Sequence, residues 1–230
     1  MRFGLRKMTL LDFPGHVACT VFTCGCDFRC PFCHNASLVR GNGEDMELSE
    51  EELFRFLDSR KKLLDGVAVT GGEPLLHPET PALLEKIRGL GLAVKLDTNG
   101  SFPEALEQIL DAGLADYVAV DVKSSPEKYD RVCGREGMFD KVARSIGLLM
   151  KGSVDYEFRT TVAAGLHEVE DVRGAARVIA GAKRYFLQNF KETEDLLEPW
   201  SRFAPVDRET LEKMLAAARE FVPAAAVRGE

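Results

Sequence analysis

Short apolar runs alternate with amphipathic stretches along most of this 230-residue chain. That alternation restricts the possible folds more than any single motif. The runs at 17–23 (VACTVFT), 66–70 (GVAVT), 92–97 (LAVKLD), 116–121 (DYVAVD), 154–161 (VDYEFRTT) and 183–188 (KRYFLQ) are rich in residues that suit a pleated, half-buried surface. The segments between them place apolar residues at helical spacing. Over 49–60, Ser49 and Glu52 form a capping box ahead of Leu53, Phe56 and Leu57. Over 80–90, Pro81 suits a first turn, Leu83, Ile87 and Leu90 share a face, and Gly91 is the stop. The same reasoning predicts helices over 103–112, 138–150 and 169–180. A last one carries Leu211, Met214, Leu215 and Ala218, with Asp207 as its cap. Strand–helix units in series predict an α/β fold with a parallel sheet and outer helices. Right-handed crossovers curl such a sheet, and the number of units falls short of a closed eight-stranded barrel. The expectation is therefore an open, partial (β/α)6 barrel with its active site at the carboxyl rim of the strands. A doubly wound open sheet is the alternative. The chain reads as one domain over 1–230, with a core over about 10–190 and a helical extension over about 205–222.

Composition narrows the class. Hydrophobic residues make up 45% and charged residues 29%, enough apolar matter for an ordered core. The net charge of -7 argues against a surface that tracks nucleic-acid phosphates. No apolar run reaches membrane-spanning length, so no membrane partner is expected. Asp12 and Pro14 interrupt the N-terminal apolar patch before a signal-like core develops, which places the protein in the cytoplasm.

Each predicted strand ends on polar, ionisable or ligand-type residues. The second ends at Gly71-Gly72-Glu73-Pro74, the third at Asp97-Thr98-Asn99-Gly100, and the fourth at Asp121 and Lys123. The fifth gives Arg159 and Thr161, and the sixth Gln188 and Asn189. The first leads into Cys26, Cys30 and Cys33. Five of the six cysteines fall between positions 19 and 33, which is no disulfide framework. Thiolates at C-x3-C-x2-C spacing suit an iron–sulfur cluster or zinc, and three ligands on a four-iron cluster leave one iron free. Cys19 reads as a small core residue, Cys24 as a bystander and Cys133 as a structural loop residue. Paired glycines let a backbone approach a ligand closely, although a plain tight turn explains them too. Asp97, Asp121 and Lys123 could bracket a zwitterion or ribose, the two carboxylates could hold a cation, or the three could form a salt bridge at the rim. His34 could ligate a metal, but reads rather as hydrogen-bonding near the cluster or packing the cysteine loop.

These residues also carry a resemblance. Cys26, Cys30 and Cys33, with the aromatic Phe32, resemble the signature of the radical S-adenosylmethionine (SAM) superfamily, and Gly71-Gly72-Glu73-Pro74 resembles its second motif. Cys33-His34-Asn35, D-T-N-G at 97–100 and D-V-K at 121–123 are similar to glycyl-radical-enzyme activases. L-L-D-F-P-G at 10–15 and F-T-C-G-C at 22–26 resemble the branch that activates anaerobic ribonucleoside-triphosphate reductase. Pyruvate formate-lyase activases have D-G-P-G where this chain has D-F-P-G. The resemblance runs from Leu10 to Asn189. It implies one [4Fe-4S] cluster on Cys26, Cys30 and Cys33, with the fourth iron chelated by the methionyl amino and carboxylate groups of SAM. It implies an electron from flavodoxin or ferredoxin, reductive cleavage of SAM to a 5'-deoxyadenosyl radical, and hydrogen abstraction from a backbone glycine of a glycyl radical enzyme. Phe32, Gly71, Gly72, Glu73, Thr98, Asp121 and Lys123 would contact SAM, with Arg159 and Gln188 as further contacts. Asp97 and Asp121 would share a monovalent cation, and Asp12 would touch the incoming glycine loop. The rival readings are a radical SAM enzyme acting on a small molecule, an activase of another glycyl radical enzyme such as pyruvate formate-lyase, and a zinc-stabilised interaction domain.

Overall fold

The computed structural model describes residues 1–41, 46–192, 195–197 and 202–229. In chain order the strands are Arg2–Thr9 (β1), Ala18–Thr23 (β2), Leu48–Ser49 (β3), Gly66–Gly71 (β4), Ala93–Thr98 (β5), Tyr117–Asp121 (β6), Asp155–Val162 (β7), Tyr185–Asn189 (β8) and Ala226–Arg228 (β9). The helices are Ala36–Arg40 (α1), Glu50–Arg60 (α2), Thr80–Gly89 (α3), Pro103–Asp111 (α4), Tyr129–Cys133 (α5), Phe139–Met150 (α6), Val169–Val178 (α7) and Arg208–Arg219 (α8). The strands form one sheet in the order β3-β1-β2-β4-β5-β6-β7-β8-β9. From β2 to β9 every neighbouring pair is parallel. β1 runs antiparallel to β2. Among the described residues β3 and β9 stay apart as the two sheet ends, so the barrel is partial and open.

The strand period of two divides the side chains between two environments. Val67, Val69, Val94, Leu96, Val118, Val120, Phe158 and Leu187 join one buried cluster with the helix residues Leu53, Leu57, Leu84, Ile87, Leu106, Ile109 and Ile146. Each such side chain contributes about 1.5–3 kcal/mol on burial. The intervening residues, among them Lys95, Asp97, Tyr117, Glu157 and Arg159, face the other way and bond to one another. The expected caps are in place. Ser49 and Glu52 close the capping box of α2, and Asp207 accepts a hydrogen bond from the Thr210 amide at the start of α8.

The structure adds elements the apolar pattern did not reveal. β1 lies between β2 and the two-residue β3 near one end of the sheet, and its Arg6 and Lys7 are exposed, so it lacks a clean alternation. β9 is only three residues long, and follows α8 back onto the sheet beside β8. Cys133 does not sit in a loop but ends the short helix α5. Among the described residues no helix is long and apolar enough to cross a membrane.

Candidate active site

The cysteine-bearing segment leaves the carboxyl end of β2 and is clamped by three elements. The Gly72 amide donates to the Thr23 carbonyl at 3.0 Å, and the Glu73 amide to the Gly25 carbonyl at 2.8 Å. The Gly25 amide donates to Leu38 in α1 at 2.8 Å, and the Arg29 amide to the Cys133 carbonyl at the end of α5 at 2.8 Å. Glycine is required where these pieces meet. A Cβ on Gly72 would lie 1.9 Å from the Gly25 oxygen, and one on Gly71, at φ +126°, 2.2 Å from the Thr23 oxygen. The G-G pair thus serves the close approach of β4 to the cysteine segment, in addition to bordering the site.

At the carboxyl ends of the strands lies a cavity of about 290 Å3. Cys26, Cys30, Phe32 and Cys33 line it from the first loop, and Gly71 and Gly72 from the second. Asp97, Thr98, Asp121, Lys123, Arg159 and Gln188 complete the ring. The structure therefore gathers residues from six strand ends that are far apart in the chain. Two expected site residues stay outside. Glu73 is fully buried beside the cavity, where its carboxylate accepts from the Leu75 amide (2.9 Å), the Thr98 hydroxyl (2.7 Å) and the Asn99 amide (2.6 Å). It ties the turn after β4 to the end of β5. Burial pushes this carboxyl up to about 7, against the opposing pull of its three donors. Asp12 lies on the 10–17 loop, which leads into the amino end of β2; the thiols follow the carboxyl end of that strand. Asp12 accepts from Thr20 (2.5 Å) and pairs with Arg6 (3.3 Å).

The far wall is a charge lattice. Arg159 Nε donates to Asp121 at 2.8 Å and its terminal nitrogen to Asp97 at 3.1 Å. Lys123 donates to the second oxygen of Asp121 at 3.1 Å, and the buried Lys95 to the second oxygen of Asp97. Burial alone would raise both aspartates, yet the adjoining cations hold them below the usual carboxylate range. In the same way burial works against charge on Lys123 and Arg159, and the carboxylates outweigh it and hold both groups protonated.

The donor set fits a thiolate-bound cluster. Cys30 is buried, and its Sγ makes a 3.8 Å contact to the Cys133 carbonyl. Burial raises the Cys26 thiol to about 12 and pushes Cys30 up as well, so metal binding must displace their protons. Cys19, Cys24 and Cys133 do not line the cavity. Among the described residues no three His, Cys, Asp or Glu side chains converge on a single-ion position; the thiols instead surround a larger space. His34 also lines it, stacked on Phe190 at 5.0 Å, with Nε2 buried and without a hydrogen-bond partner among the described residues. Asn99 is a lining residue missing from the expected contacts; its side-chain amide donates to Asp27 at 2.9 Å and approaches Cys26 Sγ at 3.8 Å. Its place in D-T-N-G was the available signal. Phe28 and Val39 also line the cavity, and as apolar loop and helix residues they gave no signal.

Three thiols, a glycine turn and a charged rim define a cluster-binding site of the kind built on partial (β/α) barrels. Residues 20–177 match the model of the Radical SAM superfamily, and the chain belongs to that family. Its cofactors are a [4Fe-4S] cluster and SAM. The chain is 28% identical over 232 residues to a Methanocaldococcus jannaschii protein that carries the provisional name glycyl-radical enzyme activating enzyme, covering 98% of this chain and 94% of that one. It is 36% identical over 125 residues to the pyruvate formate-lyase-activating enzyme of Clostridium pasteurianum, covering 52% of this chain and 51% of that one. The fold is similar to a radical SAM methyltransferase from Sphaerobacter thermophilus, with a TM-score of 0.71 at 17% identity, covering 96% of this chain and 68% of that one.

Proposed function

We propose that this chain activates a glycyl radical enzyme, and that its partner is an anaerobic ribonucleoside-triphosphate reductase. Cys26, Cys30 and Cys33 hold the cluster in this reading and leave one iron for SAM. When bound, the pair supplies one-electron cleavage of the sulfonium to a 5'-deoxyadenosyl radical that takes hydrogen from a backbone glycine, with flavodoxin or ferredoxin as the electron source. The chain's own residues bind, orient and exclude water. Lys123, protonated and fixed on Asp121, offers positive charge to the methionyl carboxylate. Gly71 and Gly72 present backbone groups to the amine, while Glu73 holds that turn in place from behind. Thr98, Arg159 and Gln188 border the nucleoside, and Phe32 seals the loop side. Hydrogen-atom transfer moves proton and electron together, so the site needs no general base.

The observation that carries this reading is a likeness along nearly the whole length of a glycyl-radical activase homologue, in a chain whose cavity gathers the thiols with Asp121 and Lys123. The choice of the reductase rests on L-L-D-F-P-G at 10–15. The test is anaerobic reconstitution with iron and sulfide, followed by reduction in the presence of SAM and the candidate reductase. A glycyl radical signal on the reductase by electron paramagnetic resonance is the expected result. A signal on pyruvate formate-lyase alone would reassign the partner. SAM cleavage with no radical on any glycyl radical enzyme would favour a small-molecule substrate.

A further inference from the structure

Two carboxylates at neighbouring strand ends are common ingredients of a cation site, and the resemblance puts a monovalent cation on Asp97 and Asp121. The residues of this chain do not fit one. All four carboxylate oxygens face a cationic donor. Arg159 spans the pair, with Nε on Asp121 Oδ1 at 2.8 Å and Nη1 on Asp97 Oδ2 at 3.1 Å. Lys95 takes Asp97 Oδ1, and Lys123 takes Asp121 Oδ2 at 3.1 Å. Two negative charges thus meet three positive ones. A further carboxylate, Glu157, lies 3.9 Å from Arg159 and is already held by both terminal nitrogens of Arg228, at 2.5 and 2.7 Å. An added metal ion would find no free oxygen pair among these carboxylates and would raise a local charge that is already positive. Lys95 and Arg159 are only 2% and 13% exposed, so solvent does little to screen that repulsion.

We propose that Arg159, backed by Lys95, is the built-in cation of this site, so that SAM binding needs no alkali metal ion. Arg159 is suited to the task. Its planar guanidinium bridges two carboxylates that one ammonium could serve only as a point charge. Lys95 adds what the resemblance does not supply: an interior lysine, two positions before Asp97 on the same face of β5, that occupies the oxygen Arg159 leaves over.

The inference rests on the cavity being the SAM site. The experiment measures SAM binding to the reconstituted wild-type protein by equilibrium dialysis, in choline chloride and in potassium or sodium chloride at equal ionic strength. Affinities that agree within about twofold support the proposal; tightening of about tenfold or more by either metal ion overturns it. A Lys95→Met, Arg159→Met double variant, checked for folding by circular dichroism, exposes the carboxylates. It should bind SAM at least about tenfold more weakly in choline and regain affinity in potassium. Wild-type affinity in choline would overturn the proposal. If the variant does not fold, the wild-type comparison decides alone. Absence of SAM binding by the wild type in both salts overturns the cavity assignment and the inference with it, a result distinct from metal dependence.

Discussion

Gly134 offers a test of how the cysteine segment is held. It caps α5 in the left-handed region at φ 68°, and a Cβ there would meet the Arg29 oxygen at 2.3 Å and the Arg29 carbonyl carbon at 2.8 Å. Gly137 shares the positive φ, at 70°, with nothing within 4 Å of its Cβ position. The two alanine substitutions share the backbone cost and differ in the collision. The left-handed conformation costs a non-glycine residue about 1–2 kcal/mol. A methyl forced against packed backbone adds about 1–3 kcal/mol. Gly137→Ala should therefore destabilise by about 1–2 kcal/mol and Gly134→Ala by about 2–5 kcal/mol. The second effect is local to the site. The Arg29 amide and the Cys133 carbonyl are bonded at 2.8 Å, and moving Arg29 shifts Cys30, the next residue but none. Urea unfolding of the apoproteins measures the stability difference. Iron and sulfide content after reconstitution measures the effect on the cluster loop. Gly134→Ala should bind less iron than Gly137→Ala. Equal stabilities and equal iron contents would refute the claim that α5 clamps this loop.

Other outcomes follow from single contacts. Cys30→Ala should lose the visible absorption of the reconstituted cluster, while Cys133→Ala, which removes a buried thiol outside the cavity, should keep it; unchanged iron in the first variant contradicts the ligand set. Glu73 titrates near 7 when folded and near 4.5 when unfolded, so the folded state binds the extra proton between those values. Its contribution is fully present below about 4.5 and lost as pH rises through 7, a change of about 3 kcal/mol. Glu73→Gln should flatten that part of the apoprotein's stability profile, and an equal change in urea-derived stability between pH 5 and pH 8 in wild type and variant would contradict the assignment. Arg228→Met strips the fully buried Glu157 of its bidentate partner and should cost about 3 kcal/mol by urea unfolding. Partial recovery is expected on adding Glu157→Gln, and a loss below about 0.5 kcal/mol would show that the β9 arginine does not anchor this edge.

The central architecture was legible because its elements are locally consistent. The six predicted runs lie within a residue or two of β2 and β4 to β8, and the caps at Ser49 and Asp207 define helix starts. The edges were not legible, because β1 mixes charge with apolar residues and β9 is too short to show a period. The rim was readable in the same way: polar residues that end parallel strands must converge. What the sequence could not convey is which rim residues face the cavity. Glu73 stands next to Gly72 yet turns inward to bond Thr98 and Asn99. Asp12, which precedes β2, sits at the amino end of that strand and away from the rim, as chain order itself requires. Lys95 looked like one polar residue in an apolar strand; its role depends on Arg159, 64 positions away and two strands over.

The central claim is that Cys26, Cys30 and Cys33 leave one iron of a four-iron cluster without a protein ligand. Mössbauer spectroscopy of protein reconstituted anaerobically with 57Fe, before and after SAM is added, tests it most directly. One iron in about four should shift its signal when SAM binds while the other three keep theirs. Four irons that ignore SAM, or a spectrum of isolated thiolate-bound ions, would contradict the account.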